Sequence, residues 1–304
     1  MSKENLPLAL LNKHLETLSL NAPLYIESEK DFLNAAAGSA QSAVVFLPKS
    51  KALIDMTLAF VSNIVVADGI VVLAGSKKGG IESAKKAYEA NIGPVDQKIV
   101  GNHSALYVGK NSRLGAGKKL EDYLAYFPVS YMGTDIEVAH LPGVFSADEL
   151  DAGSELLLDH VPYTGKNVLD VGCGAGVIGT LYKKLSPKSE ITMADVSALA
   201  VRATQETIKK NGIEATVLQS DVFSNISGQF DTILCNPPFH TGIETDYSFI
   251  ERFAKGAREH LAPGGSVYVV ANSFLSYKDT LEKYIGPTEI IVDDLKFRVF
   301  KSTI

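Results

Sequence analysis

The sequence predicts an α/β protein built from two tandem Rossmann-like domains, the second with a mostly parallel, seven-stranded sheet. Three observations lead to this prediction. The 304-residue chain is longer than a typical single domain. Short apolar runs alternate with helical periodicity after residue 166. A shorter pattern of the same kind precedes residue 110. We expect the domains to span residues 1–120 and 121–304.

The second domain alternates predicted strands and helices along the chain. The predicted strands are 166–171, 190–194, 215–219, 230–235, 266–271, 289–292 and 297–302. The predicted helices are 176–185, 198–211 and 249–261. Asn211-Gly212 is typical of a helix C-terminus, and Pro263-Gly264-Gly265 closes the third helix. Such βα alternation is typical of a doubly wound parallel sheet.

The first domain repeats the later part of this pattern at an offset of about 190–196 residues. Residues 44–49 correspond in layout to 232–238, and residues 68–75 correspond to 264–272. Lys49 stands where the second domain has an aromatic residue, and the first domain has no Gly-x-Gly-x-Gly motif. We interpret it as a degenerate copy that binds or positions a partner. Chance likeness between two α/β domains is the alternative.

Composition and charge exclude several classes of protein. No run of about 18 apolar residues occurs, so a membrane span is not predicted. The charged N-terminus lacks a secretory pattern, so we expect a cytoplasmic protein. Two cysteines, Cys173 and Cys235, are too few for a disulfide scaffold. The net charge is −6, but residues 1–120 carry +4 and residues 121–304 carry −10. A polyanion would therefore meet the first domain, unless the asymmetry is accidental.

A glycine-rich loop follows the first predicted strand of the second domain. Gly172, Gly174 and Gly176 permit a tight turn and close approach of the backbone to a ligand. The following helix directs free N–H groups at that ligand. Asp195 ends the next strand, where a carboxylate can accept hydrogen bonds from ribose hydroxyls. This arrangement predicts a nucleoside-binding site.

The glycine loop alone does not separate a nicotinamide cofactor from S-adenosylmethionine (SAM). Asp170, immediately before the loop, suits the cationic amino-acid end of SAM and would repel a pyrophosphate. Asp221-Val222 follows the third strand, where the acid can accept from the adenine amine. Asn236-Pro237-Pro238-Phe239 follows the fourth strand. These features favour SAM, and no metal ligand is assigned.

The tetrapeptide Asn236-Pro237-Pro238-Phe239 is suited to holding a planar amine. The side-chain carbonyl of Asn236 and the backbone carbonyl of Pro237 can accept the two N–H bonds and aim the lone pair at the methyl group. The prolines stiffen the loop. Phe239 offers a flat face on which a base can stack. The four residues are the predicted catalytic residues, whereas His240 is expected only to hydrogen-bond within the loop.

Taken together, these motifs resemble the ribosomal RNA small subunit methyltransferase C family. The resemblance extends over the segments Leu141-Pro142-Gly143-Val144-Phe145-Ser146, Leu150-Asp151-Ala152-Gly153-Ser154, Asn236-Pro237-Pro238-Phe239-His240 and Val270-Ala271-Asn272-Ser273-Phe274-Leu275. It implies SAM-dependent guanine-N2 methylation of 16S rRNA within the small ribosomal subunit, and a degenerate N-terminal methyltransferase-like domain without cofactor. It also implies that Phe145 and Gly153 help to cover the SAM and target pocket. The first domain matches the family only weakly.

Other functions fit the same clamp. Guanine-N2 methylation of 23S rRNA by the large subunit methyltransferase G type, and adenine-N6 methylation of DNA or RNA, both remain open. Protein glutamine methylation of the release-factor type is disfavoured, because that type usually has Tyr where this chain has Phe239 and a small helical N-terminal domain. A non-catalytic SAM-binding or RNA-chaperoning module is the alternative outside enzymology, and intact Asp170, Asn236 and Phe239 argue against it.

Contacts with RNA are only weakly indicated, because no arginine-rich tract occurs. Lys77, Lys78, Lys85 and Lys86 surround Gly79-Gly80 at a predicted helix start and are candidate phosphate contacts. A solvated helix face is the alternative interpretation. Because the chain contains two copies of one pattern, we expect it to act as a monomer.

Overall fold

The computed structural model describes residues 10–11, 29–145, 149–237 and 243–304. The chain divides into two compact units, residues 1–123 and 124–304. Within the described ranges, no helix combines the length and apolarity needed to cross a membrane.

The first unit contains a four-stranded sheet whose order is β1-β2-β4-β3. Its strands are β1 (Ala40–Phe46), β2 (Val65–Ser76), β3 (Gln97–Gly101) and β4 (Ser104–Lys110). From residue 29 onward its helices are α1 (Glu29–Asn34), α2 (Lys51–Ile64) and α3 (Ile81–Asn91), with a 3₁₀ turn at Leu120–Tyr123. Strand β2 is buried continuously over residues 71–75, as expected for a central strand covered on both faces.

The second unit begins with an antiparallel hairpin and continues as alternating helices and strands. The hairpin pairs β5 (Ala125–Tyr131) with β6 (Thr134–His140). The helices are α4 (Ala152–His160), α5 (Val177–Leu185), α6 (Ala198–Lys210), α7 (Ile243–His260) and α8 (Lys278–Tyr284). The strands are β7 (Asn167–Val171), β8 (Glu190–Asp195), β9 (Thr216–Gln219), β10 (Phe230–Cys235), β11 (Leu261–Asn272), β12 (Thr288–Asp293) and β13 (Phe297–Thr303).

These seven strands form one sheet of order β12-β13-β11-β10-β7-β8-β9. Among them, β13 runs antiparallel to its two neighbours and the remaining pairs are parallel. The chain moves outward from β7 to β9 and then returns to β10 on the other side of β7. The strand order therefore reverses between β7 and β10, and α/β sheets bind ligands at the carboxyl ends of the strands beside such a reversal. The predicted fold class is confirmed.

The two sheets share one topology. In the first unit β1 is parallel to β2, and β4 is antiparallel to both β2 and β3. Strands β10, β11, β13 and β12 repeat this arrangement in the second unit. Both parallel pairs also shift register at the same place, between Ala40 and Ser42 and between Phe230 and Thr232. A shared irregularity at equivalent positions favours duplication over chance likeness.

The structure also departs from the predicted elements. The hairpin of β5 and β6 was not predicted, and β5 begins at Ala125, just after the predicted start of the second domain at residue 121. Helix α7 begins at Ile243, six residues before its predicted start. Strand β11 extends back through Pro263-Gly264-Gly265 to Leu261, because Leu261 pairs with Phe230 beyond the register shift. Turn residues thus lie inside an irregular strand rather than between a helix and a strand.

Candidate active site

A cavity of about 320 Å³ lies at the carboxyl ends of the central strands of the second unit. Its size is within the range of small-ligand pockets. Eight predicted site residues line it: Phe145, Gly172, Gly174, Asp195, Asp221, Val222, Asn236 and Pro237. Gly153, Asp170 and Gly176 do not line it. The sequence motifs therefore meet at one pocket, although these three residues do not contribute to its lining.

The glycine loop turns sharply between β7 and α5. Gly172 and Gly174 have φ values of 75° and 57°, a region that favours glycine. Gly176 caps α5 with φ 80°, and a Cβ there would lie 2.8 Å from Cγ2 of Thr204. Gly176 therefore acts through the shape of the loop rather than by facing the cavity. The N-cap residue Gly176 supplies no side chain to α5, and the N–H of Gly179 in the first turn donates instead to the Asp170 carboxylate.

The Asp195 carboxylate is fixed at the end of β8. Its Oδ2 accepts from the backbone N–H of Gly174 at 2.9 Å, and its Oδ1 accepts from that of Ser197 at 2.9 Å. The carboxylate thus ties the glycine loop to the start of α6 while remaining on the cavity wall. This placement suits the predicted contact with ribose hydroxyls.

Asp170 lies beneath the glycine loop. It is 1% exposed, and its Oδ2 accepts from the backbone N–H of Gly179 at 3.1 Å. Its Oδ1 is buried and has no hydrogen-bond partner among the described residues. Burial, together with the nearby charge of Asp195, raises the pKa of Asp170 to about 7, although the Gly179 hydrogen bond opposes the rise. A direct contact with the amino-acid end of SAM stays a prediction.

The wall predicted to meet adenine is a tight turn after β9. Val222 has φ 55°, an unusual value for a β-branched residue. The Ser220 hydroxyl bridges the turn, donating to the carbonyl oxygen of Val222 at 3.1 Å and accepting from the N–H of Asn225 at 3.0 Å. Nη1 of Arg252 donates to both carboxylate oxygens of Asp221, to Oδ1 at 3.0 Å and to Oδ2 at 2.8 Å. Arg252 also lines the cavity.

Asn236 is the first residue after β10, and its side-chain amide has a fixed orientation. Its Nδ2 donates to Oδ2 of Asp151 and to Oγ of Ser154, each at 2.9 Å. Its Oδ1 is buried and has no hydrogen-bond partner among the described residues. The amide therefore presents a buried acceptor beside the cavity. Pro237 is buried and lines the cavity, whereas Pro238, Phe239 and His240 lie outside the described residues.

The two residues suggested by the resemblance occupy different places. Phe145 is 49% exposed and lines the cavity, near Gly174. Gly153 lies in the first turn of α4, where a Cβ would be 3.0 Å from Oδ2 of Asp151 and 3.7 Å from Nδ2 of Asn236. Gly153 thus makes room for the Asn236 contacts and does not cover the cavity in this structure.

The residues of the site that sequence reasoning missed include Asp151, Ser154, Ser220 and Arg252. Asp151 and Ser154 lie in a segment quoted for its resemblance, and Asp directly before the apolar residues of α4 is a recognisable N-cap pattern. That pattern predicts the helix start but not the contact with Asn236. Arg252 lies in α7 with no local signal for its pairing with Asp221.

Both cysteines are buried and free. Burial raises the pKa of Cys173 and of Cys235 well above 9, with the charges of Asp170 and Asp195 adding to the effect. They are therefore neutral thiols at physiological pH, and neither is poised as a nucleophile.

Comparison with known proteins agrees with this site. Residues 135–301 match the family described as Methyltransferase small domain, and residues 8–127 match Methyltransferase small domain N-terminal. Ribosomal RNA small subunit methyltransferase C of Aeromonas hydrophila is 39% identical over 86% of this chain and 76% of that protein. The protein of the same name from Aliivibrio salmonicida is 34% identical over 98% of this chain and 91% of that protein.

A solved structure shows the same architecture. It is the T. thermophilus 16S rRNA N2 methyltransferase in complex with AdoMet and guanosine. That structure superposes with a TM-score of 0.77 at 25% identity, covering 96% of this chain and 79% of the other. With the sequence relatives, it confirms the resemblance seen in the motifs: the chain belongs to the ribosomal RNA small subunit methyltransferase C family.

Proposed function

We propose that the chain transfers a methyl group from SAM to the exocyclic N2 amine of a guanine in 16S rRNA. The observation that carries this proposal is the buried Oδ1 of Asn236, an acceptor beside the cavity without a hydrogen-bond partner among the described residues. A buried acceptor needs a donor, and an aryl amine supplies one. The names of the relatives and of the T. thermophilus structure support guanine N2 and 16S rRNA.

The residues of the cavity fit SAM. In this proposal the glycine loop would meet the amino-acid end, Asp195 would accept from the ribose hydroxyls, and Asp221 would accept from the adenine amine. When bound, SAM supplies an electrophilic methyl group on a sulfonium. The cavity walls orient that group and exclude water from it.

The clamp holds the amine. The Asn236 Oδ1 and the backbone carbonyl of Pro237 accept the two N–H bonds, which aims the nitrogen lone pair at the methyl group. We propose that Phe239 stacks on the base and that Pro238 stiffens the loop. As the N–C bond forms and the S–C bond breaks, the nitrogen becomes cationic, and its proton then leaves to water. No strong general base is required.

We further propose that the first domain, residues 1–120, positions the RNA for the catalytic domain, residues 121–304. Lys77 and Lys78 are exposed, and the ion pairs described for the structure do not include them. Lys85 is a weaker candidate because it pairs with Glu89 at 3.4 Å. A substrate in the small ribosomal subunit implies a cytoplasmic enzyme, and we propose that it acts as a monomer.

The proposal is tested by transfer of radiolabelled methyl groups from SAM to small subunits, large subunits and protein-free rRNAs. The acceptors come from cells that lack the corresponding gene. Digestion and mass spectrometry then identify the product. N2-methylguanosine on small-subunit rRNA is the expected result. The same nucleoside on 23S rRNA would support the 23S-directed alternative, whereas label on adenine N6 or on protein glutamine would replace the guanine assignment.

Asn236→Ala provides the matched test of the clamp. Because the substitution removes the proposed acceptor and leaves the glycine loop intact, we expect kcat to fall by at least about 100-fold. The Kd for SAM, measured by calorimetry, should change by less than about threefold, which is no more than the net contribution of one hydrogen bond. Near-normal turnover by a folded variant would refute the clamp.

A further inference from the structure

We propose that Asp151, assisted by Ser154, is a positioning residue that sets the orientation of the Asn236 amide and strengthens its oxygen as an acceptor for the target amine. This inference rests on the proposed function, and specifically on Asn236 as the clamp residue. Nothing in the tetrapeptide itself indicates it, because Asp151 lies 85 positions earlier in the chain.

Both N–H bonds of the Asn236 amide are used inside the protein. One goes to the Asp151 carboxylate and the other to the Ser154 hydroxyl, each over 2.9 Å. Ser154 is only 6% exposed, so water does not readily replace its oxygen. The amide nitrogen is therefore saturated, and only the oxygen remains for a substrate.

The carboxylate decides which way the amide faces. Asn side chains can turn over, exchanging nitrogen and oxygen, and the two ends have opposite hydrogen-bonding character. An ionised carboxylate only accepts hydrogen bonds, so the Asn236 nitrogen must face Asp151 and the oxygen must face away. Without Asp151, the reversed amide would present N–H bonds to an amine whose own N–H bonds need acceptors. The clamp would then repel the group that it has to hold.

Asp151 is itself held rigidly. It is the N-cap residue of α4, and its Oδ2 also accepts from the backbone N–H of Ser154 at 2.9 Å. Gly153 lies between the two partners, and its missing Cβ leaves the carboxylate and the Asn236 amide the space they occupy. The orientation of the clamp is thus anchored in the first turn of a helix rather than in a loop.

The charge of Asp151 also favours the chemistry. A hydrogen bond from an amide to a carboxylate is stronger than one between neutral groups, and it polarises the amide so that Oδ1 becomes more negative. Methyl transfer moves positive charge from the sulfonium to the amine nitrogen. A negative carboxylate one amide away stabilises that charge more in the transition state than in the ground state.

Two substitutions distinguish three roles of the Asp151 carboxylate: capping α4, contacting the Asn236 amide and supplying negative charge. In Asp151→Ser the hydroxyl is a good N-cap but is shorter, so it caps α4 without reaching Asn236. In Asp151→Asn the amide oxygen can still accept from both Ser154 and Asn236, but the charge is lost. We expect kcat to fall about 100-fold in Asp151→Ser, at the lower end of the range for loss of transition-state electrostatics. In Asp151→Asn, which keeps the contact, we expect a smaller loss of about tenfold. The KM for RNA and the Kd for SAM should each stay within about threefold.

A double-mutant cycle tests whether Asp151 acts through Asn236. If it does, Asp151→Ser should reduce kcat by less than about threefold in the Asn236→Ala background, since the oriented amide is already gone. Ser154→Ala, which leaves the cap in place, should show a smaller loss with the same coupling. Melting temperatures measured in parallel separate these effects from loss of fold.

The inference is overturned if folded Asp151→Ser keeps normal kcat. It is also overturned if Asp151→Ser lowers kcat by the same factor in the wild type and in the Asn236→Ala background. The proposed function fails in a different way, when the wild-type protein does not label guanine N2. If the label is then on another planar amine, the same variants are measured on that substrate, because the clamp argument does not depend on the ring that carries the amine.

Discussion

At the scale of single residues, the site places two carboxylates in opposite settings. Asp195 accepts two backbone N–H bonds at the cavity wall. Asp170 has one such bond and is almost completely buried. Burial of the anion is costly because one of its oxygens has no hydrogen-bond partner in the described part of the chain, so the protonated form of Asp170 is favoured in the folded protein. The predicted contact with the cationic end of SAM, where it forms, would reverse that preference.

Asp170 should make stability depend on pH. Its pKa is raised from 3.8 to about 7, so between these values the folded protein holds a proton that the unfolded chain releases. The free energy of unfolding therefore falls as pH rises through this window and is unaffected by this group below about pH 4. Between pH 4.5 and 8, the free energy of unfolding of Asp170→Asn should decrease by about 3 kcal/mol less than that of the wild type. Urea unfolding of the SAM-free protein at a series of pH values measures it.

The matched control is Asp135→Asn, which neutralises an exposed carboxyl group in the turn-side half of the hairpin. It should keep the wild-type pH dependence. Identical slopes for all three proteins would mean that Asp170 does not titrate in this window.

At the scale of elements, the sequence is informative where the signal is local. The period of apolar residues identifies the strands and helices from β7 onward, and polar residues at strand ends predict that Asp195, Asp221 and Asn236 meet at one edge. Contacts across the fold have no such signal. Asn236 and Asp151 are 85 positions apart, and Arg252 and Asp221 are 31 apart. Their pairing depends on how α4 and α7 pack, which no local pattern specifies.

The turn after β9 shows how an element holds a strained residue. A β-branched residue at positive φ costs about 1–2 kcal/mol, and Val222 adopts φ 55° beside the cavity. The Ser220 hydroxyl donates to the carbonyl oxygen of Val222 and accepts from the N–H of Asn225. The Ser224 hydroxyl accepts from the N–H of Asp221 at 3.1 Å. The hydroxyl network thus fixes the shape that is proposed to read adenine.

Removing the bridging hydroxyl should loosen the cofactor site. In Ser220→Ala, the hydrogen bonds to Val222 and from Asn225 are lost, so we expect stability to fall by about 1–2 kcal/mol. The Kd for SAM should rise about tenfold because the adenine-facing turn is no longer preorganised. Ser62→Ala, which removes a buried hydrogen bond to Asn111 in the first unit, should lower the melting temperature without changing the Kd for SAM. Equal effects of the two variants on SAM binding would contradict a local role for Ser220.

At the scale of the whole molecule, two copies of one topology present different chemistry at the same sheet edge. In the second unit, β10 is followed by the clamp residues Asn236 and Pro237. In the first unit, β1 ends at Phe46, which is 45% exposed, and exposed Lys49 follows. Exposed Lys77 and Lys78 follow β2. The copy without a glycine loop thus displays cations and an aromatic ring, which suits binding of phosphates and bases.

If this edge contacts RNA, reversing its charge should weaken binding of the substrate alone. For Lys77→Glu combined with Lys78→Glu, we expect the affinity for small-subunit rRNA to fall at least tenfold at moderate salt, and the slope of log affinity against log salt to decrease by up to about 2. The Kd for SAM should not change. Lys184→Glu combined with Lys188→Glu makes the same charge change on exposed residues that precede β8, at the amino edge of the other sheet, and should leave RNA affinity within about twofold. Filter binding over a range of salt concentrations compares the two pairs. Equal losses would show that only net charge matters, and no loss in either pair would remove Lys77 and Lys78 from the RNA-binding surface.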